Sequence, residues 1–296
     1  MAAEILDRFA ADVHGDPGRQ QAASVPLSRQ GLGARPRSLD AALTHLHLSP
    51  HPALVVGVEG ATEMLLVPRV MELLGIERDP SWIRVEDFGG TDKDLSLLAR
   101  YASQPLLGED RGDHVVLDRP PTRFLVMTDA EHRYKTLSDR SQQRKLLLDS
   151  ITQYIPADLR ADLYRRNARV VEIVTWGRLP FEFAHFTDRQ LADALLQAAA
   201  APHPRGRAAL IWAIHMQRVK DPTPNIEDAW KRSGVKKVQL AEVTWPLLKR
   251  RIERAIVRGH RGPPIMRAVL RAYELASLSY QLTTVIERHP ARRPRR

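Results

Sequence analysis

Short apolar runs alternate with helix-like patterns over the first two thirds of the chain. The run ALVVGV (53–58) is continuously apolar, which is typical of a strand that is buried on both faces. Three similar runs follow, and stretches with apolar residues at helical spacing separate them. These runs are WIRVEDF (82–88), RFLVMTD (123–129) and ARVVEIVTW (168–176). Strands separated by helices predict an α/β domain with a mainly parallel sheet flanked by helices.

Beyond Thr187 the apolar residues recur only at helical spacing. The pattern therefore predicts an α/β domain at 46–187 followed by an all-helical basic module at 188–288. The remaining segments are predicted to be a helical or flexible lead-in at 1–45 and a disordered basic tail at 289–296. Between the second and third strands, the glycines Gly108 and Gly112 and the pair Pro120-Pro121 predict a polar loop.

Composition narrows the class of protein. Hydrophobic residues make up 43% and charged residues 27% of the 296 positions, which is typical of a folded chain. No apolar run approaches the roughly 18–20 residues that cross a bilayer, and the first residues lack the apolar core of a signal peptide. The absence of cysteine excludes disulfides, cysteine–zinc sites, iron–sulfur clusters and thiol nucleophiles. We therefore expect a cytoplasmic protein that does not insert into membranes.

Positive charge is concentrated at the C-terminal end. The chain carries a net charge of +10, and positions 247–296 contain 13 basic residues against three acidic ones, so this stretch accounts for the whole excess. A segregated basic region favours a polyanionic partner such as DNA. The alternative explanation of this basic region is a solvated helical face followed by a basic tail. The candidate nucleic-acid contacts are Lys249, Arg250, Arg261 and Arg267.

Carboxylates follow three of the four predicted strands. They are Glu59, Glu63, Asp129, Glu131 and Glu182. Ligands of an open parallel sheet collect where its strands end, so we expect these side chains to converge. A divalent cation relieves the repulsion between such acids, and oxygen ligands favour Mg²⁺ or Mn²⁺. Taken singly, each acid is also explained as a helix N-terminal acid, a cap or a surface residue, and only their conjunction predicts a metal site.

Three motifs carry a family resemblance. VVGVEGATE (55–63), VEDFGG (85–90) and FLVMTDAE (124–131) resemble the TOPRIM domain of topoisomerases, primases and nucleases. The four-residue step from Glu59 to Glu63, with a further glutamate after the fourth strand, is similar in particular to the OLD (overcoming lysogenisation defect) nucleases. The resemblance covers about 53–188. It implies a TOPRIM-like fold and a DNA endonuclease, or nickase, that acts in phage defence or DNA processing.

The resemblance also implies roles for the acids. Glu59, Asp129 and Glu131 would be catalytic, and together with Glu63 and Glu182 they would hold two Mg²⁺ or Mn²⁺ ions that act on the phosphodiester. Glu131 departs from the family pattern, which has a second aspartate there. The family also uses a lysine in its helical part, for which Lys249 and the arginine-bearing segment HRGPPIMRA (260–268) are the candidates.

No phosphate-binding loop of the form GxxxxGK[ST] occurs, although OLD proteins carry an ABC-type ATPase. Three possibilities stay open: a stand-alone nuclease, a truncated relative, and a subunit that works with a separate ATPase. The resemblance to the family also leads us to expect a dimer. The main alternative is a catalytically impaired TOPRIM module that binds nucleic acid or regulates a partner. Topoisomerases, primases and Rossmann enzymes fit less well, because no recognisable tyrosine context, cysteine-rich zinc module or GxGxxG is present.

Overall fold

The computed structural model describes residues 52–76, 82–102, 107–110, 112–117, 122–152, 170–220, 224–281 and 284–287. The predicted lead-in at 1–45 and the predicted tail at 289–296 lie outside these residues. The strands are β1 (Leu54–Val58), β2 (Ile83–Asp87), β3 (Leu107–Asp110), β4 (His114–Leu117), β5 (Arg123–Thr128), β6 (Val171–Thr175) and β7 (Thr284–Glu287). The helices are α1 (Ala61–Leu73), α2 (Leu137–Thr152), α3 (Phe181–His185), α4 (Asp188–Ala198), α5 (Gly206–Lys220), α6 (Ile226–Ala229), α7 (Lys237–Arg258) and α8 (Pro264–Gln281). Three 3₁₀ helices occupy Leu95–Tyr101, His132–Tyr134 and Lys231–Ser233.

A four-stranded parallel sheet forms the centre of the molecule, in the order β2-β1-β5-β6. This confirms the predicted α/β fold, including all four predicted strands. Every residue of β1 and β5 is buried, which explains their continuous apolar sequences, because helices cover both faces of the sheet. The register places Val58 opposite Met127, so the two central strands end side by side.

The two faces of the sheet carry different layers. Helix α2 and the 3₁₀ helix Leu95–Tyr101 cover one face. Helices α1 and α8 cover the other, α7 packs against α1, and their apolar residues continue the core of the sheet into the C-terminal helices. The helical region and the sheet therefore share one continuous core. No helix in the described part of the chain is long and apolar enough to cross a membrane.

A second sheet corrects two of the predictions. Strands β3 and β4 form an antiparallel hairpin where a polar loop was expected, and β7 pairs with β4 although the C-terminal module was expected to be all-helical. Each of these strands is four residues long, which is too short to leave a clear alternating pattern. The pairing of β4 with β7 joins segments that are far apart along the chain, and local sequence does not encode such pairing.

Gly57 in β1 gives a test of the packing between the sheet and the 3₁₀ helix Leu95–Tyr101. A Cβ at this position would lie 2.6 Å from Leu98 Cδ1 and 3.6 Å from Phe88 Cδ1. We expect Gly57→Val to lower the free energy of unfolding by about 1–3 kcal/mol, because overpacking forces this buried layer apart. Urea unfolding measures the change.

The control is Gly60→Ala, because a Cβ there meets no atom within 4 Å and the backbone is extended. It is expected to change the free energy of unfolding by less than about 0.5 kcal/mol. Equal stability of the two variants would contradict the described packing.

Candidate metal centre

Three of the predicted acids meet at the edge of the sheet where β1 and β5 end. Glu59 directly follows β1, Asp129 directly follows β5, and Glu131 lies two residues further on. Each offers a carboxylate oxygen, and these oxygens all lie within 4.8 Å of one another. The cluster is the consequence of two parallel neighbours in register, as the strand pattern predicted. Three carboxylates at this spacing can hold a metal ion.

The residues at the end of β5 hold Glu59 in place. Its Oε2 accepts hydrogen bonds from Thr128 Oγ1 at 3.1 Å and from the backbone N–H of Asp129 at 2.9 Å. Burial raises the pKa of Glu59, the two hydrogen bonds oppose this effect, and the charge of Glu131 adds to it. On balance the pKa of Glu59 is raised. A cation bound near this carboxylate would favour its ionised form.

Asp129 is fixed from the opposite side by α3. Its Oδ1 accepts a hydrogen bond from the backbone N–H of Phe181 at 2.9 Å, and the residue is only 7% exposed. Burial raises the pKa of Asp129 to about 9, and the charges of the four neighbouring carboxylates add to this effect. The charges of all four other acids thus raise the pKa of Asp129. Its hydrogen bond to Phe181 also connects strand β5 to helix α3.

Glu63 and Glu182 form a second, adjoining pair. Glu63 lies in the first turn of α1 and Glu182 in the first turn of α3, and both are buried. Burial raises the pKa of Glu63 to about 8, with further contributions from the charges of Glu182 and Glu59. The compact oxygen cluster among the described residues comprises Glu59, Asp129 and Glu131 without this pair. The pair borders the cluster, and its role as a ligand set stays a prediction.

Glu131 occupies the outer side of the cluster. Its Oε1 accepts a hydrogen bond from Thr91 Oγ1 at 3.3 Å and lies 3.8 Å from His132 Nε2. The turn at Gly89-Gly90 carries Thr91 to this position, and both glycines adopt positive φ angles of 84° and 100°, which favour glycine. The glutamate therefore joins the site, although it is one methylene longer than the aspartate of the motif it resembles.

Lys237 is a functional candidate that the sequence did not identify. It is the first residue of α7, which packs against α1. Burial by itself would lower the pKa of Lys237, but the charges of the surrounding carboxylates together raise it. These carboxylates are Glu182, Asp129, Glu63 and Glu59. Lys237 thus places a positive charge beside the acids.

One local feature of the sequence could have identified Lys237. A positive charge in the first turn of a helix is unfavourable, because it lies at the positive end of the helix dipole. Its position therefore suggests a compensating interaction with groups outside the helix. The lysine candidate from the sequence, Lys249, lies away from the carboxylates, and its role stays a prediction. It lies twelve residues further along α7, about 18 Å away along the helix, and pairs with Glu253 at 3.8 Å. The other predicted basic residues, Arg250, Arg261 and Arg267, are exposed in the C-terminal helical region.

His185 anchors α3, the helix that holds Asp129. The ring is buried, with Nδ1 2.8 Å from the carbonyl oxygen of Phe181, and Nε2 accepts the backbone N–H of Ile265 at 3.0 Å. This arrangement requires a neutral imidazole with its proton on Nδ1. Burial lowers the pKa of His185 to about 4, which is consistent with that form. Arg251 of α7 donates to the carbonyl oxygen of His185, so α3 is held from both α7 and α8.

The fold and the site together define a class: a parallel α/β domain with a carboxylate cluster, able to hold a metal ion, at the carboxyl ends of its strands. No family model matches the chain, and no curated protein matches it. The structure is similar to the C-terminal region of the OLD protein of Xanthomonas campestris pv. campestris. The identity is 17% and the TM-score 0.45, over 78% of this chain and 98% of that one.

A second similar structure is the C-terminal region of the OLD protein of Burkholderia pseudomallei. The identity is 15% and the TM-score 0.41, over 76% of this chain and 98% of that one. Both structures come from the family that the sequence motifs resemble.

Neutralising Glu63 is expected to change how stability depends on pH. Because the pKa of Glu63 is raised from 4.5 to about 8, the folded protein keeps a proton that the unfolded chain releases over this range. The free energy of unfolding of the metal-free protein therefore falls as the pH rises from about 4.5 to about 8, and Glu63→Gln removes this part of the decline. Urea unfolding in EDTA across this pH range measures the effect.

The control is Glu72→Gln, which changes an exposed glutamate of the same helix and should keep the pH dependence of the parent. If Glu63→Gln and the parent lose stability equally between these pH values, the buried, protonated state of Glu63 is disproved.

Proposed function

We propose that the protein is a metal-dependent DNA endonuclease that hydrolyses phosphodiester bonds. The observation that carries the proposal is the convergence of Glu59, Asp129 and Glu131 at the end of the parallel strands, with Lys237 beside them. Acids that repel one another in a buried position create a site for cations, and a lysine at the same place favours an anionic substrate. A phosphodiester with divalent ions satisfies both requirements.

The side chains fit Mg²⁺ or Mn²⁺. The ligand set consists of carboxylate oxygens, which these hard cations prefer. We propose that Glu59, Asp129 and Glu131 hold one ion and that Glu63 and Glu182 border the position of a second. Such ions, when bound, supply Lewis acidity that neutralises phosphate charge and lowers the pKa of water.

The protein itself contributes orientation and charge. Thr128 and the backbone of Asp129 hold one oxygen of Glu59, and the backbone of Phe181 holds one oxygen of Asp129. Neither carboxylate therefore has to reorient when ligands bind, which favours catalysis. Lys237 is protonated at neutral pH because its pKa is raised. It can stabilise the charge that develops on the phosphate or give its proton to the leaving oxygen.

The net charge of +10 supports a nucleic-acid substrate. Positive side chains bind phosphates without reading the bases, so we propose cleavage with little sequence preference. The exposed basic residues Lys249, Arg250, Arg261 and Arg267 remain the proposed contacts to the DNA backbone.

Asp129→Asn tests the metal site. We expect cleavage of supercoiled plasmid by the parent with Mg²⁺ or Mn²⁺ and none in EDTA. The variant should be at least about 100-fold slower, because the ions supply several kcal/mol of transition-state stabilisation. The amide keeps the shape of the side chain and an oxygen that can accept from Phe181, so the fold is expected to persist, as circular dichroism and thermal unfolding would show.

Asp193→Asn, at an exposed aspartate on α4, is the matched control and should cleave like the parent. Continued cleavage by Asp129→Asn, or cleavage in EDTA, would refute the proposed site. A parent that binds DNA without metal and never cleaves it would favour the binding or regulatory module instead.

Lys237→Met tests the role of the lysine, with Lys236→Met as the control at the neighbouring exposed position. We expect the first variant to cleave at least about tenfold more slowly and the second to match the parent, because only Lys237 compensates the carboxylate charge. Single-turnover cleavage at saturating DNA measures the rate. Equal rates for the two variants would remove Lys237 from the site.

A further inference from the structure

The second half of α7 carries an unusual row of arginines. Arg250, Arg251, Arg254 and Arg258, which we call the arginine face, line an open cavity of about 680 Å³. Three of them also line an adjoining cavity of about 380 Å³, which extends to Arg261 in the loop after the helix. The two cavities thus form one basic groove along the helix.

These arginines differ from others of the fold in their partners. Arg69, Arg207, Arg218 and Arg271 each pair with a carboxylate, namely Glu242, Asp193, Asp188 and Glu172 respectively. By contrast, Arg250 and Arg254 donate to carbonyl oxygens of their own helix, and Arg251 donates to the carbonyl oxygen of His185. Within the described residues, no member of the arginine face forms an ion pair. No carboxylate in that part of the chain is therefore paired with its positive charges.

The charges of the arginine face also act against one another. The pKa of Arg251 is lowered by burial and then by the charge of Arg254. Among the described residues that line the groove, the one acidic residue is Glu253, which is already paired with Lys249. An anion that enters the groove would relieve this repulsion, and guanidinium groups suit phosphate because they bind it through two parallel hydrogen bonds.

The spacing favours a repeating anion over a single phosphate. Arg250, Arg254 and Arg258 recur every four residues, so they form a row about 12 Å long on one side of the helix. Phosphates of a DNA strand follow one another at about 3.4 Å along the duplex axis, so a row of this length faces three or four of them. None of the described residues that line the groove is Trp, Tyr or Phe, so it lacks the rings on which single strands stack.

The groove lies on the same helix as Lys237 but further along it. Arg250 is about 20 Å and Arg258 about 32 Å from Lys237 along the axis of α7. At 3.4 Å per base pair, these distances correspond to about six to nine base pairs. Resting on the proposed function, we infer that the arginine face binds the backbone of duplex DNA about six to nine base pairs away from the bond that is cleaved. The preferred substrate is then a duplex that extends at least this far to one side.

Fluorescence anisotropy in EDTA tests the inference without requiring cleavage. The probes are labelled duplexes of about 6, 12 and 30 base pairs, and the protein is the full chain. For Arg254→Glu combined with Arg258→Glu we expect at least about tenfold weaker binding of the 30-base-pair duplex. The slope of log affinity against log salt should fall by about two, because each lost phosphate contact removes about one. The gain in affinity between 6 and 12 base pairs should also shrink.

The matched control reverses the charges of Arg144 and Lys145 on α2, which covers the opposite face of the sheet. It should change the affinity less than about threefold. The double variant Arg254→Gln with Arg258→Gln, compared by thermal unfolding, excludes a folding defect. Equal losses in the control, or no loss in the arginine variants, would overturn the inference. So would displacement of the DNA by an equal charge concentration of polyglutamate, because that result favours an acidic protein partner.

The two proposals fail in different ways. If the parent cleaves with metal while the arginine variants bind duplex as the parent does, only the arginine face is refuted. If the arginine variants lose binding while the parent never cleaves, the groove stands as a DNA-binding surface and the nuclease assignment falls.

Discussion

The parallel pairing of β1 with β5 determines where the candidate metal centre of this protein is located. Because Val58 and Met127 are opposite each other, the next residues of the two strands carry Glu59 and Asp129 to the same place. The backbone N–H of Asp129 then binds the carboxylate of Glu59. One register thus creates the cluster and supplies part of the bonding that holds it. A shift of one residue would turn these side chains to the other face of the sheet.

This arrangement has an electrostatic cost that the surrounding structure moderates. Burial and mutual repulsion raise the pKa values of Glu63 and Asp129 to about 8 and 9. Hydrogen bonds to single oxygens and the charge of Lys237 offset part of this cost. Divalent ions would offset more of it, so the same feature that destabilises the metal-free edge favours metal binding.

The C-terminal helices contribute to the site as well as to the core. Helix α3 holds Asp129, and His185 and Arg251 tie α3 to α8 and α7. Helix α7 begins at the carboxylates with Lys237 and ends in the arginine face. One helix therefore joins the proposed point of cleavage to the proposed duplex contact. Their separation is fixed by the rise per residue of this α-helix, and its length is comparable to one turn of DNA.

The sequence by itself determined the parallel sheet and three clustered acids, because both depend on local information. A buried strand is a short apolar run, and the residue that follows it stands at the edge where parallel strands end. Only the tertiary structure decided the rest. Strand β7 pairs with β4 from a distant part of the chain, and Lys237 reaches the acids through the packing of α7 on α1. That Arg250 and Arg254 form no ion pair with a described residue is likewise visible only in the folded chain, because ion pairs form between elements that sequence order does not bring together.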